Sequence, residues 1–416
     1  MVEHHVRNVG VESSNLFFST NSMEDTEAAF AWTMGAPRFL LLRTMTSRRD
    51  LLEGLALTAI AGVAPGCRLL TSASSARADQ VRAEALLQVA KGLVLGAAVG
   101  SDRDEDAVYV GRQGPQKDAA PIDGKTRFDL ASLTKTITAS VCASLVAEGR
   151  LDPDAPFTAY CPEHVLGKNC RITVRDLATH SSGFGNFSGS RYSEDAAVNL
   201  GAAGFERELW TKRPRNPRGT YCYSCYNFAL LGTVAERSGG KPLDRLAQDR
   251  VFGPLGMAST RWWPVADDGH TVTVPLPMRD GTLRRTGEVH DEVARYAGRP
   301  IGNAGVFSTL PDMRLFVTDL LRRELFPKEH YDLLFARTFR RGRECRSFGF
   351  DCGDDGRPDG VSEASIRHTG FTGQFLCVDP ERGFAGVVLT LRRPGVAGSL
   401  GGRHRLFRLS LGLLEA

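Results

Sequence analysis

Ser132 and Lys135, three residues apart in the stretch Phe128 to Leu145 (FDLASLTKTITASVCASL), are the pair in this chain that chemistry can use and packing would not ask for. Read as a helix beginning near Ser132, the stretch spaces Leu133, Ile137, Val141 and Leu145 four apart, giving one buried apolar face. Ser132 and Lys135 then lie one turn apart on a common face, within reach of each other. Burial would strip water from the amine, lower its pKa and let it act as a base on the hydroxyl. A serine at the first turn also has a backbone N–H pointing out of the helix end, where the dipole favours a developing oxyanion.

The pattern alone carries little weight, because the chain offers a second copy, Ser238-Gly-Gly-Lys241. Adjacent glycines oppose a helix, so that copy reads as a helix end and turn. What raises the first copy is its company. Downstream lie Pro217-Arg218-Gly219-Thr220-Tyr221-Cys222-Tyr223-Ser224-Cys225-Tyr226-Asn227-Phe228 and, near the end, Arg367-His368-Thr369-Gly370-Phe371-Thr372-Gly373-Gln374.

With Ala131 to Lys135, this order resembles the serine β-lactamase and penicillin-binding family, most closely its class C and esterase branch. That branch carries Ser-x-x-Lys, Tyr-x-Asn, and Lys-Thr-Gly or His-x-Gly on an edge strand. Further phrases match in order: Leu177 to Gly183 (LATHSSG), Pro254 to Met257, Val289 to Glu292 (VHDE) and Ala304 to Thr309 (AGVFST). The resemblance runs from about residue 80 to the end. It implies that Ser132 is the acylated nucleophile, with Lys135 its base or the group that holds a base. Tyr223 would shuttle the proton to the leaving group and later activate water. His368, Thr369 and Gly370 would line the pocket, and the Phe371 N–H would complete an oxyanion hole with that of Ser132. Tyr221 and Tyr226 are neighbours with which Tyr223 is easily confused; the Ser224 and Asn227-Phe228 context sets the frame.

Two departures bear on substrate. Cys225 stands where the family pattern has an Asn whose amide would hold the substrate carbonyl and contact the lysine, and a thiol is a weak hydrogen-bond partner. His368 stands where β-lactamases and transpeptidases have a Lys for the substrate carboxylate, and a histidine is only partly charged at neutral pH. Both point toward an esterase or peptidase-like hydrolase of small esters or amides. A β-lactamase or D-alanyl-D-alanine carboxypeptidase is the alternative in chemistry, and a silent relative that binds cell-wall peptide the alternative in class. No Ser has Gly two before and two after it, and no Glu-x-x-Leu-Asn occurs. The α/β-hydrolase elbow and the class A deacylation route are therefore disfavoured. His180 and His290 read as structural.

The elements that must position these residues form a mixed α/β (α+β) fold: an antiparallel sheet flanked by helices, plus a mostly helical subdomain. Asp79 to Val89 reads as an amphipathic helix, and Gly92 to Val99 and Ala107 to Val110 as strands. Val174 to His180, Tyr226 to Arg237, Leu243 to Val251 and Pro311 to Leu321 read as helices. Strand signals return at Phe348 to Cys352, Ile366 to Thr369, Gln374 to Asp379 and Gly383 to Leu391, before a last helix from about His404 to Leu414. Residues 79–150 and 341–416 would share the sheet, and 151–340 would be helical. Lys212 to Arg218 and Arg337 to Arg346 read as solvated surface.

The 416 residues carry a net charge of +4 and 42% hydrophobic residues, enough for a large core and too mildly basic to suggest nucleic acid. Residues 1–78 read as leader. Ser47-Arg48-Arg49-Asp50-Leu51-Leu52, a modest apolar run from Gly54 to Val63 and Ala76-Arg77-Ala78 resemble a twin-arginine export signal across residues 45–78. The expectation is that translation begins at Met45, with 1–44 an extension or disordered, and that the product is exported, periplasmic or extracellular. Cys67 is a candidate lipid-anchor site. The apolar run is too short to span a bilayer, and no metal or cofactor is implied. In an exported protein Cys161 with Cys170, or Cys345 with Cys352, are spaced for short-loop disulfides, whereas Cys222 and Cys225 form a lone Cys-x-x-Cys.

Overall fold

Two strands near the C-terminus, Phe375–Asp379 and Phe384–Arg392, read as nearly unbroken apolar runs, and the reason is that both faces of the sheet are covered there. The computed structural model describes residues 73–103, 107–188, 194–263, 268–275, 287–393, 396–398 and 402–413; the twin arginine, Cys67 and the expected start at Met45 lie outside them. The first elements are helix α1 (Ala73–Ala90) and strands β1 (Val94–Ser101), β2 (Val108–Gly111) and β3 (Arg127–Asp129). A tight turn, Ala131–Leu133, leads into α2 (Thr134–Ala147). There follow α3 (Val174–Ala178), α4 (Glu194–Thr211), α5 (Cys225–Gly239), α6 (Leu243–Ala247), β4 (Arg261–Trp262), β5 (Thr271–Val272), α7 (Glu292–Tyr296), β6 (Val306–Ser308), α8 (Leu310–Arg322) and α9 (Lys328–Phe335). The chain ends with β7 (Phe339–Arg341), β8 (Glu344–Ser347), β9 (Phe350–Asp351), β10 (Ile366–Thr369), β11 (Phe375–Asp379), β12 (Phe384–Arg392) and α10 (Gly402–Ser410).

The main sheet has eight strands in the order β2-β1-β12-β11-β10-β9-β8-β7, every pair antiparallel. Along β12 successive residues alternate between two cores. Phe384 and Val388 pack with Phe375, Val81 of α1 and Phe407 of α10, while Ala385, Val387 and Leu389 face the larger core that holds α2. The N- and C-terminal helices thus close one face, and the helices of the middle of the chain close the other.

Helix α2 is enclosed on nearly every side, rather than on the single face its leucine and valine spacing predicts: Lys135, Thr136, Thr138 and Ser140 are as buried as Ile137 and Val141. The threonines are tolerated because they are satisfied locally. Thr136 Oγ1 donates to Leu133 O at 2.8 Å, and Thr138 Oγ1 donates to Gly302 O at 2.9 Å. The segment 151–340 also holds more than helices. A second sheet, ordered β4-β6-β3-β5, takes three of its strands from it and the fourth, β3, from the part expected to join the main sheet; its strands are two or three residues long and leave no period to read. The expected helix at Asp79 begins instead at Ala73, so Ala76-Arg77-Ala78 lies within α1.

The expected turn at Ser238-Gly-Gly-Lys241 is present: α5 ends there with Gly240 in the left-handed region at φ +70°. Cys345 and Cys352 are disulfide-bonded, their Cα atoms 4.9 Å apart. Cys161 and Cys170 are instead buried free thiols, packed in the same core as Phe157 and Ile172. Two of the basic clusters' members are not solvated: Lys212 is buried against Glu208, and Arg346 lies over the Tyr221 ring, 4.6 Å from its centroid, between Glu344 and Asp351.

The loop before β6 presses on α5 so closely that only glycine fits at 302. A Cβ there would sit 2.2 Å from the carbonyl oxygen of Phe228 and 3.1 Å from the Gly232 nitrogen. Because both obstacles are backbone, Gly302→Ala is expected to destabilise the fold by about 2–3 kcal/mol, since overpacking that moves main chain is costly. Urea denaturation measures this, and a loss below roughly 0.5 kcal/mol would show that the helix–loop contact yields easily.

Candidate active site

Strand β3 delivers the chain to Ser132, and Asp129 at its end fixes the turn. Asp129 is fully buried; its Oδ1 accepts from the Ala131 N–H at 2.8 Å and its Oδ2 accepts from the His290 N–H at 2.7 Å and lies 2.9 Å from His290 Nδ1. Burial pushes its carboxyl upward, but His290 and the two N–H donors outweigh this and hold it below the usual carboxylate range. Ala131 is forced to φ +50°, a conformation a non-glycine residue adopts only under constraint. Ser132 follows directly, half-buried, at the start of the helical run.

Lys135 comes from the first turn of α2 and is completely buried. Its Nζ donates to Ser132 Oγ at 3.0 Å and to the Asn303 carbonyl at 2.9 Å, with Cys225 Sγ at 3.6 Å. It also lies 5.3 Å from the Tyr223 ring centroid. The expected lowering of its pKa does not occur. Burial does pull it down, but Cys225, Tyr223 and Asp291 together pull it up further, and the net direction is upward. Lys135 is thus an ammonium that holds the serine hydroxyl, not a free amine.

Tyr223 and Cys225 come from the segment leading into α5. Tyr223 is 39% exposed, open enough to meet a substrate. Its ring lies against His180, centroids 4.4 Å apart. His180 is held in turn by the Ser224 N–H, which donates to Nδ1 at 3.2 Å, and by the Asn227 amide at 3.3 Å. The imidazole that read as merely structural is the wall against which the phenol rests. Burial, Arg346, Lys135 and His368 push His180 well below the ordinary histidine range. Cys225 anchors its backbone by donating its N–H to Asn186 Oδ1 at 2.6 Å, and burial raises its thiol pKa despite Lys135.

Strand β10 supplies the opposite wall. His368 is buried and its Nδ1–H donates to the Thr369 carbonyl at 2.9 Å, while Thr369 itself is exposed. Expected to be partly charged, His368 is instead neutral: burial and then Lys135 lower its pKa to about 3. At Gly370 a Cβ would stand 2.9 Å from Leu130 O and 3.3 Å from Ala131 Cβ, so the strand end abuts the serine turn. The Phe371 ring is stacked between His290, at 5.5 Å, and Arg392, at 4.6 Å. Thr372 Oγ1 and Gln374 Nε2 both donate to the Asp129 carbonyl, at 2.9 and 2.6 Å.

The structure therefore brings Ser132, Lys135, Tyr223 and Cys225 into one contact group and sets the His368-to-Phe371 strand end against the serine turn. Sequence reasoning missed Asp129, Asn186, Asp291 and Asn303. Of these, Asp129 and Asp291 sit inside phrases already singled out, FDLAS and VHDE, and an acid beside a nucleophile turn was a signal to use. Among the described residues no three His, Cys, Asp or Glu side chains gather as a metal site.

Replacing Asp129 with Asn keeps one acceptor but turns an N–H toward a donor that the other oxygen now accepts from; the expected cost is about 1–3 kcal/mol, the usual result of leaving a buried polar group unsatisfied. Chemical denaturation checks this, and an unchanged midpoint would refute the role given to Asp129. His180 and His368 make a second prediction. Both have folded pKa values below the unfolded value of about 6.5, so the unfolded state binds more protons and stability falls as pH drops below that value. Each contributes a slope of up to about 1.4 kcal/mol per pH unit between roughly pH 6 and 4. His368→Gln should flatten the dependence of the melting temperature on pH in that window; an identical slope in the variant would mean that His368 is not held neutral.

The family model described as Beta-lactamase matches residues 83–408. A putative D-alanyl-D-alanine carboxypeptidase of Escherichia coli K12 is 28% identical over 298 residues, which is 61% of this chain and 66% of that protein; the chain spans about two thirds of the length of that curated relative. Two solved structures share the fold: a class C β-lactamase with TM-score 0.67 and 17% identity, covering 84% of this chain and 99% of the other, and a hydrolase with promiscuous acyltransferase activity, with TM-score 0.66 and 18% identity over 80% of this chain and 99% of the other. With a model match over most of its length and the family's fold around its Ser-x-x-Lys turn, the chain belongs to the β-lactamase family of serine hydrolases.

Proposed function

We propose that this protein is an exported serine hydrolase that takes an acyl group from a small ester or amide onto Ser132 and releases it to water. The observation that carries this reading is the contact of the buried Lys135 Nζ with Ser132 Oγ at 3.0 Å, a geometry in which a cation is already placed to stabilise the oxygen as it loses its proton. Ser132 Oγ attacks the substrate carbonyl carbon, and its proton passes by way of Tyr223 to the departing alcohol or amine. The carbonyl oxygen takes up the negative charge between the N–H groups of Ser132 and Phe371. Water then attacks the acyl-enzyme with Tyr223 receiving its proton, and Ser132 is regenerated.

Substrate preference follows from the walls. His368 is neutral, so it gives no fixed positive charge to a substrate carboxylate, and Cys225 offers a thiol where an amide would grip a carbonyl. Both support esters and simple amides over anionic β-lactams. The relative in E. coli named as a putative D-alanyl-D-alanine carboxypeptidase supports the second reading, a peptidase of D-amino-acid peptides. The leader-like segment around Arg48-Arg49 supports export. Among the described residues no helix is long and apolar enough to cross a membrane.

The test compares hydrolysis of a p-nitrophenyl ester, nitrocefin and a D-alanyl-D-alanine peptide, with labelling by a fluorescent phosphonate. Ester turnover and a phosphonate adduct on Ser132 are expected, both abolished in Ser132→Ala, with Tyr223→Phe losing on the order of 100-fold. Rapid nitrocefin turnover with negligible ester hydrolysis would reject the preference, and absence of any adduct would leave only a peptide-binding role.

A further inference from the structure

Cys225 leaves the pocket without the side-chain amide that a Tyr-x-Asn pattern puts there, and an amide from another segment stands next to it. Asn186 Oδ1 accepts the Cys225 N–H at 2.6 Å. Because that partner is a donor, the atom facing it must be the amide oxygen, which leaves Nδ2 directed away from the Cys225 nitrogen. Asn186 is exposed, and among the described residues its Nδ2 meets no acceptor. Two further contacts connect Cys225 to the nucleophile: its Sγ lies 3.6 Å from Lys135 Nζ, which lies 3.0 Å from Ser132 Oγ.

The loop that carries the amide is held on both sides of Asn186. Before it, Ser224 Oγ donates to the Gly185 carbonyl at 3.1 Å, and Ser182 Oγ accepts from the Phe184 N–H at 3.1 Å while donating to Asn227 Oδ1 at 2.6 Å. After it, Phe187 is buried between Phe205 and Tyr226, with ring centroids 5.4 and 5.2 Å away. A surface asparagine normally moves freely; this one has a fixed backbone and an engaged oxygen, so ordering it for a ligand costs little more. Its two Nδ2 hydrogens are preorganised donors beside Cys225.

We propose that Asn186 is a substrate-binding residue whose Nδ2 donates to a carbonyl oxygen on the acyl group, next to the carbonyl that Ser132 attacks. The loop after α3 then supplies the amide that Cys225 lacks. The substrates favoured are esters and amides of N-acylated amino acids, which carry an amide carbonyl a few bonds from the reacting carbon. A plain alkanoyl ester has no acceptor there. If Asn186 served only to fix its loop, replacing it would slow all esters alike.

This inference rests on Ser132 being the nucleophile, and the experiment separates the two. For the full chain, kcat/KM is measured with p-nitrophenyl acetate and with p-nitrophenyl N-acetylglycinate, which differ only by an acetamido group. The ratio of the second to the first is compared between wild type and variants. Asn186→Asp keeps an oxygen for the Cys225 N–H but has no donor, and Asn186→Ala has neither and adds no charge. The ratio is expected to fall about fivefold in each, the worth of one net hydrogen bond. Circular dichroism melts establish that both variants are folded. A ratio within about twofold of the wild type in either variant overturns the role of Asn186, since a charge effect would spare the alanine and an anchoring effect would spare the aspartate. No turnover of either ester by the wild type, with no phosphonate adduct on Ser132, overturns the nucleophile and this inference with it.

Discussion

One buried carboxylate holds the site together. Asp129 is the last residue of β3, and each of its oxygens, main chain included, binds a different piece of the pocket: the Ala131 N–H of the serine turn, the His290 imidazole and N–H of the loop before α7, and the Thr372 and Gln374 side chains after β10. A carboxylate with no exposure to water must be fully compensated to stay ionised, and here it is compensated only when all these segments are in place. Folding therefore assembles the pocket as a condition of burying the acid. The left-handed Ala131 is the strain that this arrangement sustains, and the gain is that Ser132 stands clear of β3 at the beginning of α2.

The second constraint is the fully buried Lys135. Isolated, an ammonium in that position would lose its proton, because desolvation disfavours the charged form. It keeps its charge by giving its protons to Ser132, to Asn303 and toward Cys225. The same positive charge bears on its neighbours: it contributes to keeping both His180 and His368 neutral. A single cation thus makes the two histidines of the pocket uncharged walls, one supporting the Tyr223 ring and the other lining β10. Protonating either would set like charges together in a dry space, so the resting electrostatic state of the site is narrow.

Much of this was legible before the structure. Six strands of the main sheet were readable, β1, β11 and β12 as apolar runs and β2, β9 and β10 from the turns that bound them, whereas β7 and β8 fall in and beside a basic stretch that reads as surface; Ser132 and Lys135 were readable from spacing, and Tyr223 from the family resemblance. What escaped was of two kinds. The strands β3 to β6 are two or three residues each, shorter than any period, and exist because tertiary contacts pair them. The charge state of Lys135 escaped because burial was weighed without its partners, which lie 90 and 168 residues away in sequence at Cys225 and Asn303. Sequence order shows which residue types are present, but a buried pKa depends on which of them meet.

The strand end opposite the serine shows how charges outside the pocket can act within it. Arg403, at the start of α10, donates to the Gly370 carbonyl at 3.3 Å, and Arg392 donates to the Phe371 carbonyl at 2.8 Å while covering the Phe371 ring. Burial, and after it repulsion from the Arg392 guanidinium, lowers the Arg403 pKa to about 10. The Gly370 carbonyl and the Phe371 N–H belong to one peptide unit, so a cation on the oxygen draws electron density away from the nitrogen and makes its N–H a stronger donor. The C-terminal helix packs on the face of the main sheet opposite α2 and contributes no side chain to the Ser132–Lys135–Tyr223 group, yet through a single peptide it polarises the N–H proposed to meet the substrate oxyanion. This gives a physical reason for α10 to pack against the sheet that carries β10 and β12: its first turn keeps a positive charge at a fixed distance from one carbonyl.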